Sequence, residues 1–253
     1  MRSEPIVSAT NVDVFYGSLQ ALWNVSFFVD DGEMVCLLGV NGSGKSTCLK
    51  AVCGLIRART GEITLSGKRI NDLQTDQIVD RGLVLVPERR RLFPYLTVKE
   101  NLLVAATPKR ARKLEKERLD LVYSLFPKLY ERQSQLSYSL SGGEQQMVSI
   151  GRGLMSNPIL LMLDEPFLGL SPRVRDEVSV ALTQLNQGGL AILFIEQSLV
   201  ASAAISHRAY ILDAGRVVWN GSSTDLMADR ATTEAYFGFK ANVSGSERSP
   251  TCS

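Results

Sequence analysis

The chain has 253 residues, 45% of them hydrophobic and 21% charged, and its 28 Lys and Arg against 26 Asp and Glu give a formal net charge of +2. That composition can bury a core, and the near-neutral balance gives no general attraction to nucleic acid or to an acidic membrane surface. No apolar run reaches the roughly 20 residues that span a bilayer. Met1-Arg2-Ser3-Glu4-Pro5 lacks the apolar stretch of a secretory signal, and Cys36, Cys48, Cys53 and Cys252 contain no CxxC pair. A cytoplasmic chain with idle thiols is expected.

Val12 to Tyr16, Leu22 to Val29, Met34 to Leu38 and Glu62 to Leu65 are β-branched and aromatic runs separated by Gly17, Gly32 and Gly61. They predict antiparallel strands leading into a core strand. Directly after Leu38 stands Gly39-Val40-Asn41-Gly42-Ser43-Gly44-Lys45-Ser46, which fits G-x-x-x-x-G-K-[ST], and Cys48, Leu49, Val52, Leu55 and Ile56 then recur at helical spacing. Strand, glycine-rich loop and helix in that order form a phosphate cradle. The glycines let backbone N–H groups turn toward phosphate oxygens and the helix N-terminus favours an anion, so Gly39, Asn41, Gly42, Ser43, Gly44 and Thr47 are expected to bind the nucleotide. Lys45 would reach the β- and γ-phosphates of ATP, and the Ser46 hydroxyl would ligate Mg²⁺.

From Leu83 the pattern changes. Leu83 to Val86, Ile159 to Leu163 and Ala191 to Ile195 are apolar without alternation, as in parallel strands covered on both faces. Between Pro87 and Asn157 the patterning is helical, as in Leu114 to Phe126 and Gln145 to Met155, which predicts a helical subdomain inserted into the sheet domain. Arg89-Arg90-Arg91 and the basic cluster Lys109, Arg110, Arg112, Lys113, Lys116 and Arg118 lie within it. Glu115, Glu117 and Asp120 interleave with the second cluster, so it reads as a solvated helix face. Leu140-Ser141-Gly142-Gly143-Glu144-Gln145-Gln146 opens a helix with a second anion site. With one set of phosphates already assigned to Lys45, a second chain is implied.

Ile159 to Leu163 ends in Asp164-Glu165 at the sheet edge where α/β folds bind ligands. This resembles a Walker B segment, in which Asp164 would hold Mg²⁺ through water and Glu165 would orient and polarise the attacking water. Ser171, Pro172 and Gly188-Gly189 bracket a crossover helix with Val174, Val178, Leu182 and Leu185 on one face. Tyr210 to Leu212 and Val217 to Trp219 around Ala214-Gly215 predict a hairpin, and Asn242 to Ser253 is Ser-rich and expected to be disordered. The single histidine, His207, reads as structural.

Together the phosphate loop, the Ser141 segment and the Asp164-Glu165 strand resemble the ATP-binding cassette family from about Ile6 to Phe239. The resemblance implies an α/β P-loop NTPase (RecA-like) core with an antiparallel β subdomain and an inserted helical subdomain. The expected division is one domain over 1–240, with the core in 1–87 and 157–240, the helical and signature subdomain in 88–156, and a tail at 241–253. It implies that Tyr16 stacks on adenine and that Ser141, Gly142 and Gly143 close over the ATP held by a partner's loop. Ser171 follows Leu168-Gly169-Leu170 where the family usually has aspartate. Glu88 stands at the usual glutamine near the metal, and Gln197 at the usual switch histidine; a glutamine amide donates hydrogen bonds but cannot become cationic.

Glu88, the segment Ser141 to Met147, Asp164-Glu165-Pro166 and Glu196-Gln197 resemble the smaller ATPase of branched-chain amino-acid importers, although Arg89 replaces a usual glycine. That implies catalytic roles for Lys45, Glu165 and Gln197, and metal roles for Ser46, Glu88 and Asp164. The implied partners are a second ATPase subunit in a homo- or heterodimer, membrane permease subunits and, indirectly, a solute-binding protein, at the cytoplasmic face of the inner membrane and without nucleic acid. Urea, short amides and aromatic acids are alternative cargoes, and a soluble non-transport cassette ATPase is a distant alternative.

Overall fold

The computed structural model describes residues 4–237; the expectation of disorder for 241–253 lies outside them, as does Cys252. Strands β1 (Val7–Tyr16), β2 (Leu19–Val29), β4 (Ala58–Leu65) and β5 (Lys68–Arg69) form an antiparallel sheet in the order β2-β1-β4-β5. The central sheet has the order β10-β9-β3-β8-β7-β6. It comprises β3 (Met34–Leu38), β6 (Leu83–Val86), β7 (Leu160–Asp164), β8 (Ala191–Glu196), β9 (Arg208–Asp213) and β10 (Arg216–Ser222). Its members run parallel except β10, which returns antiparallel along β9.

The unbroken apolar runs reflect burial of this sheet on both faces. Val35, Leu37, Met162 and Leu193 point into one core, shared with the antiparallel sheet and the helix Lys45–Val52. Cys36, Leu38, Leu161 and Phe194 point into the other, shared with the helices that follow β6. Successive residues thus serve opposite cores with the two-residue period of a strand. Phe194 is fully buried, and truncating it to alanine should cost roughly 3–5 kcal/mol in lost transfer and cavity terms.

Two sequence expectations need adjusting. β1 starts five residues before Val12, because Asn11 (φ 51°) is part of a bulge where the pairing register shifts and the alternation breaks. Gly61, read as a boundary, lies inside β4 facing that bulge; a Cβ there would sit 2.6 Å from Thr10 O. Only glycine lets the bulged backbone come so near.

Between β6 and β7 the regular elements are helical: Val98–Leu103, Lys109–Arg112, Glu115–Leu125, Pro127–Glu131, the 3₁₀ turn Ser137–Ser139 and Gly142–Met155. The basic cluster is not uniformly a solvated face. Lys109, Arg112, Lys113 and Lys116 are exposed, but Arg110 and Arg118 are drawn inward, with their Nε atoms buried. The helix breaks at Lys113 and Leu114, so a single helical wheel does not describe the stretch. The crossover helix Pro172–Gln187 follows its signals, with Ser171 at the N-cap position and Gly188 at the C-cap, although the Ser171 side chain makes no capping bond.

Candidate nucleotide site

β3 delivers the loop from Gly39 to the helix that starts at Lys45. Gly44 occupies the helix N-cap position at φ 108°, a left-handed conformation that only glycine adopts freely, and a Cβ there would lie 2.8 Å from Leu22 Cδ2. Lys45 is 4% exposed. Its ammonium donates to Gly39 O at 2.7 Å and Val40 O at 3.0 Å, spanning the loop. Burial lowers its pKa, while the charges of Glu165 and Asp164 act to raise it. The Ser43 hydroxyl is buried without a hydrogen-bond partner among the described residues, an arrangement that costs free energy until an acceptor or donor arrives. A phosphate oxygen at the loop would satisfy it.

The C-terminal end of β7 carries the acidic half. Ser46 Oγ donates to Asp164 Oδ1 at 3.3 Å, joining two residues 118 apart in sequence. Burial raises the Asp164 pKa, Ser46 opposes this, and Glu88 and Glu165 add to the rise. Glu88 is therefore near Asp164, although no hydrogen bond joins them. Among the described residues no three His, Cys, Asp or Glu side chains are grouped to hold a metal. The oxygen pair of Ser46 and Asp164 nonetheless suits Mg²⁺, which takes few protein ligands and completes its shell with phosphate and water.

Glu165 has φ 48°, a conformation that costs a non-glycine residue about 1–2 kcal/mol. Its backbone N–H is fixed to Ile195 O at 3.1 Å. Gln197 Nε2 donates to Glu165 Oε1 at 2.8 Å; a carboxylate only accepts, so the amide nitrogen must face it. Gln197 thus holds Glu165 in this structure. Glu196, to which the sequence assigned no role of its own, is buried; its Oε1 accepts from Phe167 N at 3.0 Å and Oε2 from Gln197 N at 3.3 Å. Burial raises its pKa. Its signal was a charged residue closing an otherwise apolar strand.

Tyr16 is half exposed, with its hydroxyl 3.3 Å from Thr47 Oγ1. A cleft of about 400 Å³ brings Asn41, Gly42, Gly44, Lys45, Ser46 and Glu165 together. The Ser141 segment does not line it. Ser141 caps the helix Gly142–Met155 in a reciprocal box: Glu144 N donates to Ser141 Oγ at 3.3 Å, and Ser141 N donates to Glu144 Oε2 at 2.9 Å. Arg132 holds the other Glu144 oxygen at 2.9 Å. Gly142 and Gly143 therefore begin a well-fixed helix end. His207 is occupied structurally, its Nδ1 accepting from Met34 N at 3.0 Å.

The loop after β6 is tied to that same helix. Arg90 and Arg91 have φ 54° and 46°. Ser149 Oγ donates to Arg90 O at 3.1 Å, while Arg152 donates to Arg90 O at 2.9 Å and Arg91 O at 2.7 Å. Arg90 Nε returns a bond to Gln146 Oε1 at 3.2 Å.

Residues 22–168 match the family model described as ABC transporter. The chain is 40% identical over 235 residues to the high-affinity branched-chain amino acid transport ATP-binding protein BraG of Pseudomonas aeruginosa, covering 92% of this chain and all of that one. It is 34% identical to the "Probable branched-chain amino acid transport ATP-binding protein LivF" of Archaeoglobus fulgidus, covering 84% of this chain and 90% of that one. A crystal structure of the ADP conformation of an ATP-binding cassette of an ABC transporter superposes with a TM-score of 0.79 at 25% identity. That match covers 93% of this chain and 100% of the other.

Proposed function

The chain belongs to the ABC transporter family, and from that premise we propose that it is the ATP-hydrolysing subunit of an importer of branched-chain amino acids. The observation that carries the chemistry is the meeting, beside the phosphate loop, of Ser46 with Asp164 at 3.3 Å and of Glu165 with Gln197 at 2.8 Å. Relatives named for branched-chain amino acid transport support the cargo.

In this reading the loop amides and Lys45 hold the β- and γ-phosphates, the Ser43 hydroxyl finds its partner there, and Tyr16 stacks on the adenine. Mg²⁺, when bound, neutralises charge developing on the phosphate oxygens, with Ser46 and Asp164 as its protein contacts and Glu88 nearby. Glu165 orients and polarises the attacking water through Oε2, since Oε1 is engaged by Gln197. Ser141, Gly142 and Gly143 address the nucleotide of a partner subunit, so two chains, alike or different, complete each site.

Residues 88–156 serve as the helical and signature subdomain, and 1–87 with 157–240 as the core. Among the described residues no helix is long and apolar enough to cross a membrane. The chain then works peripherally at the cytoplasmic face, through permease partners and indirectly through a solute-binding protein.

The test is copurification with the permease, followed by ATPase measurement with the binding protein and candidate solutes. Stimulation by leucine, isoleucine or valine is expected. Stimulation by urea, an amide or an aromatic acid instead would overturn the cargo while leaving the ATPase assignment standing. Absence of ATPase activity in the purified complex would overturn the assignment itself.

A further inference from the structure

A second cavity, of about 580 Å³, lies at the other edge of the sheet. Ile159 just precedes β7 and Leu190 just precedes β8, so this cavity opens at the strand ends opposite those that carry Asp164 and Glu196. Its volume is within the range of small-molecule sites, roughly 300–1,000 Å³. Leu121, Leu125, Leu154, Ile159 and Leu185 give it apolar walls.

Arg110 and Arg118 both line it, close enough that the charge of one acts on the other, and the Nε atom of each is buried with no hydrogen-bond partner among the described residues. Arg110 is seated by the backbone: its Nη1 donates to Arg81 O at 3.1 Å, and its Cζ lies 2.8 Å from where a Cβ on Gly82 (φ +98°) would be. Among the described residues Arg118 forms an ion pair only with its exposed neighbour Glu117, through Nη2 at 3.2 Å. Asp31 lies at the exposed margin, and among the described residues it forms an ion pair with neither arginine. Burial, and then the positive charge of Arg118, hold Arg110 below the ordinary guanidinium range. Two like charges therefore share one partly apolar cavity. Such an arrangement destabilises the free protein and is relieved by an anion. The fork geometry of guanidinium groups favours a carboxylate.

We propose that this cavity binds a small organic acid, its carboxylate paired with the guanidinium groups of Arg110 and Arg118 and its apolar body lying against Leu154, Ile159 and Leu185. Asn157 and Gln184 also line the cavity and add amides for a polar substituent. The ligand bridges the inserted helices, which carry both arginines, and the core, which carries Ile159 and Leu185. The site shares no residue with the nucleotide cleft, so it stands whether or not the transport assignment does.

The test is calorimetric titration of the full chain with hexanoate, with hexanol as the uncharged analogue and with inorganic phosphate as the charge without the apolar body. Hexanoate should bind with a dissociation constant of about 1 mM or tighter, hexanol should not, and Arg110→Gln and Arg118→Gln should each weaken hexanoate about tenfold or more. Unchanged ATP affinity in both variants checks that they are folded. A measurement on the unaltered protein stands beside this: hexanoate should shift the methyl resonances of Leu154, Ile159 and Leu185. No saturable hexanoate binding, unchanged affinity in both variants, or methyl shifts confined to other residues would overturn the proposal. Phosphate binding as tightly as hexanoate, with the same arginine dependence, would overturn the apolar part of it.

Discussion

Replacing Gln197 with alanine removes the amide that donates to Glu165 Oε1 at 2.8 Å. A hydrogen bond to an ionised group contributes about 1.5–3 kcal/mol, which corresponds to a factor of about 10 to 150 at 1.36 kcal/mol per decade. That is the ceiling, because Glu165 keeps its backbone anchor to Ile195 O and its carboxylate revisits the productive orientation part of the time. The expected result is a fall of about tenfold in kcat. KM for ATP should stay unchanged, since the amide touches neither the loop nor Lys45. Glu165→Gln removes the proposed general base and should cost about 10²–10⁴ in kcat. Both variants should be compared by steady-state phosphate release in the assembled transporter. Equal losses would make the amide as essential as the carboxylate, and an unchanged kcat for Gln197→Ala would refute the positioning role.

Lys45→Ala removes the ammonium that spans the loop and should weaken ATP by roughly 100-fold or more, amounting to loss of binding in a nucleotide titration; retained affinity would refute the loop assignment. Glu165→Gln should still bind ATP and accumulate a closed dimer, visible by size-exclusion chromatography; a monomer with bound ATP would count against the two-chain site. Asp164→Asn should stabilise the nucleotide-free protein at neutral pH. Burial raises the Asp164 pKa above its ordinary 3.8, so its contribution is fully present below that value and is lost as pH rises through the folded-state value. The gap in thermal midpoint between Asp164→Asn and wild type should therefore widen from about pH 4 upward, and a constant gap would contradict the sign. Phe194→Ala should lower unfolding free energy by roughly 3–5 kcal/mol, measurable by denaturant titration; a loss below about 1 kcal/mol would mean that Phe194 is not tightly packed in its core.

The central strands were legible because burial on both faces leaves an unbroken apolar run, and the phosphate loop because its glycines and Lys45 are contiguous. The beginnings of β1 and β4 were not, because the Asn11 bulge breaks the period and places Gly61 inside a strand. The inward turn of Arg110 and Arg118 was hidden for a different reason. Spacing within one helix cannot show a break at Lys113 and Leu114 or a seat prepared by Gly82, which comes from another part of the chain. The Gln197–Glu165 bond links the ends of neighbouring strands. Sequence gave each end, but not the direction in which the amide points.

The strap at Arg90 and Arg91 has a mechanical consequence. Ser149 and Arg152 grip their carbonyls from the helix that Ser141 caps, and Glu88 stands two residues before Arg90 on the same short arm. A tilt of that helix large enough to displace Ser149 and Arg152 drags the arm with it. If the proposed two-chain site forms, one rigid element joins its halves: the helix that grips the arm carrying Glu88 is the same helix whose Ser141 end would address the neighbouring chain.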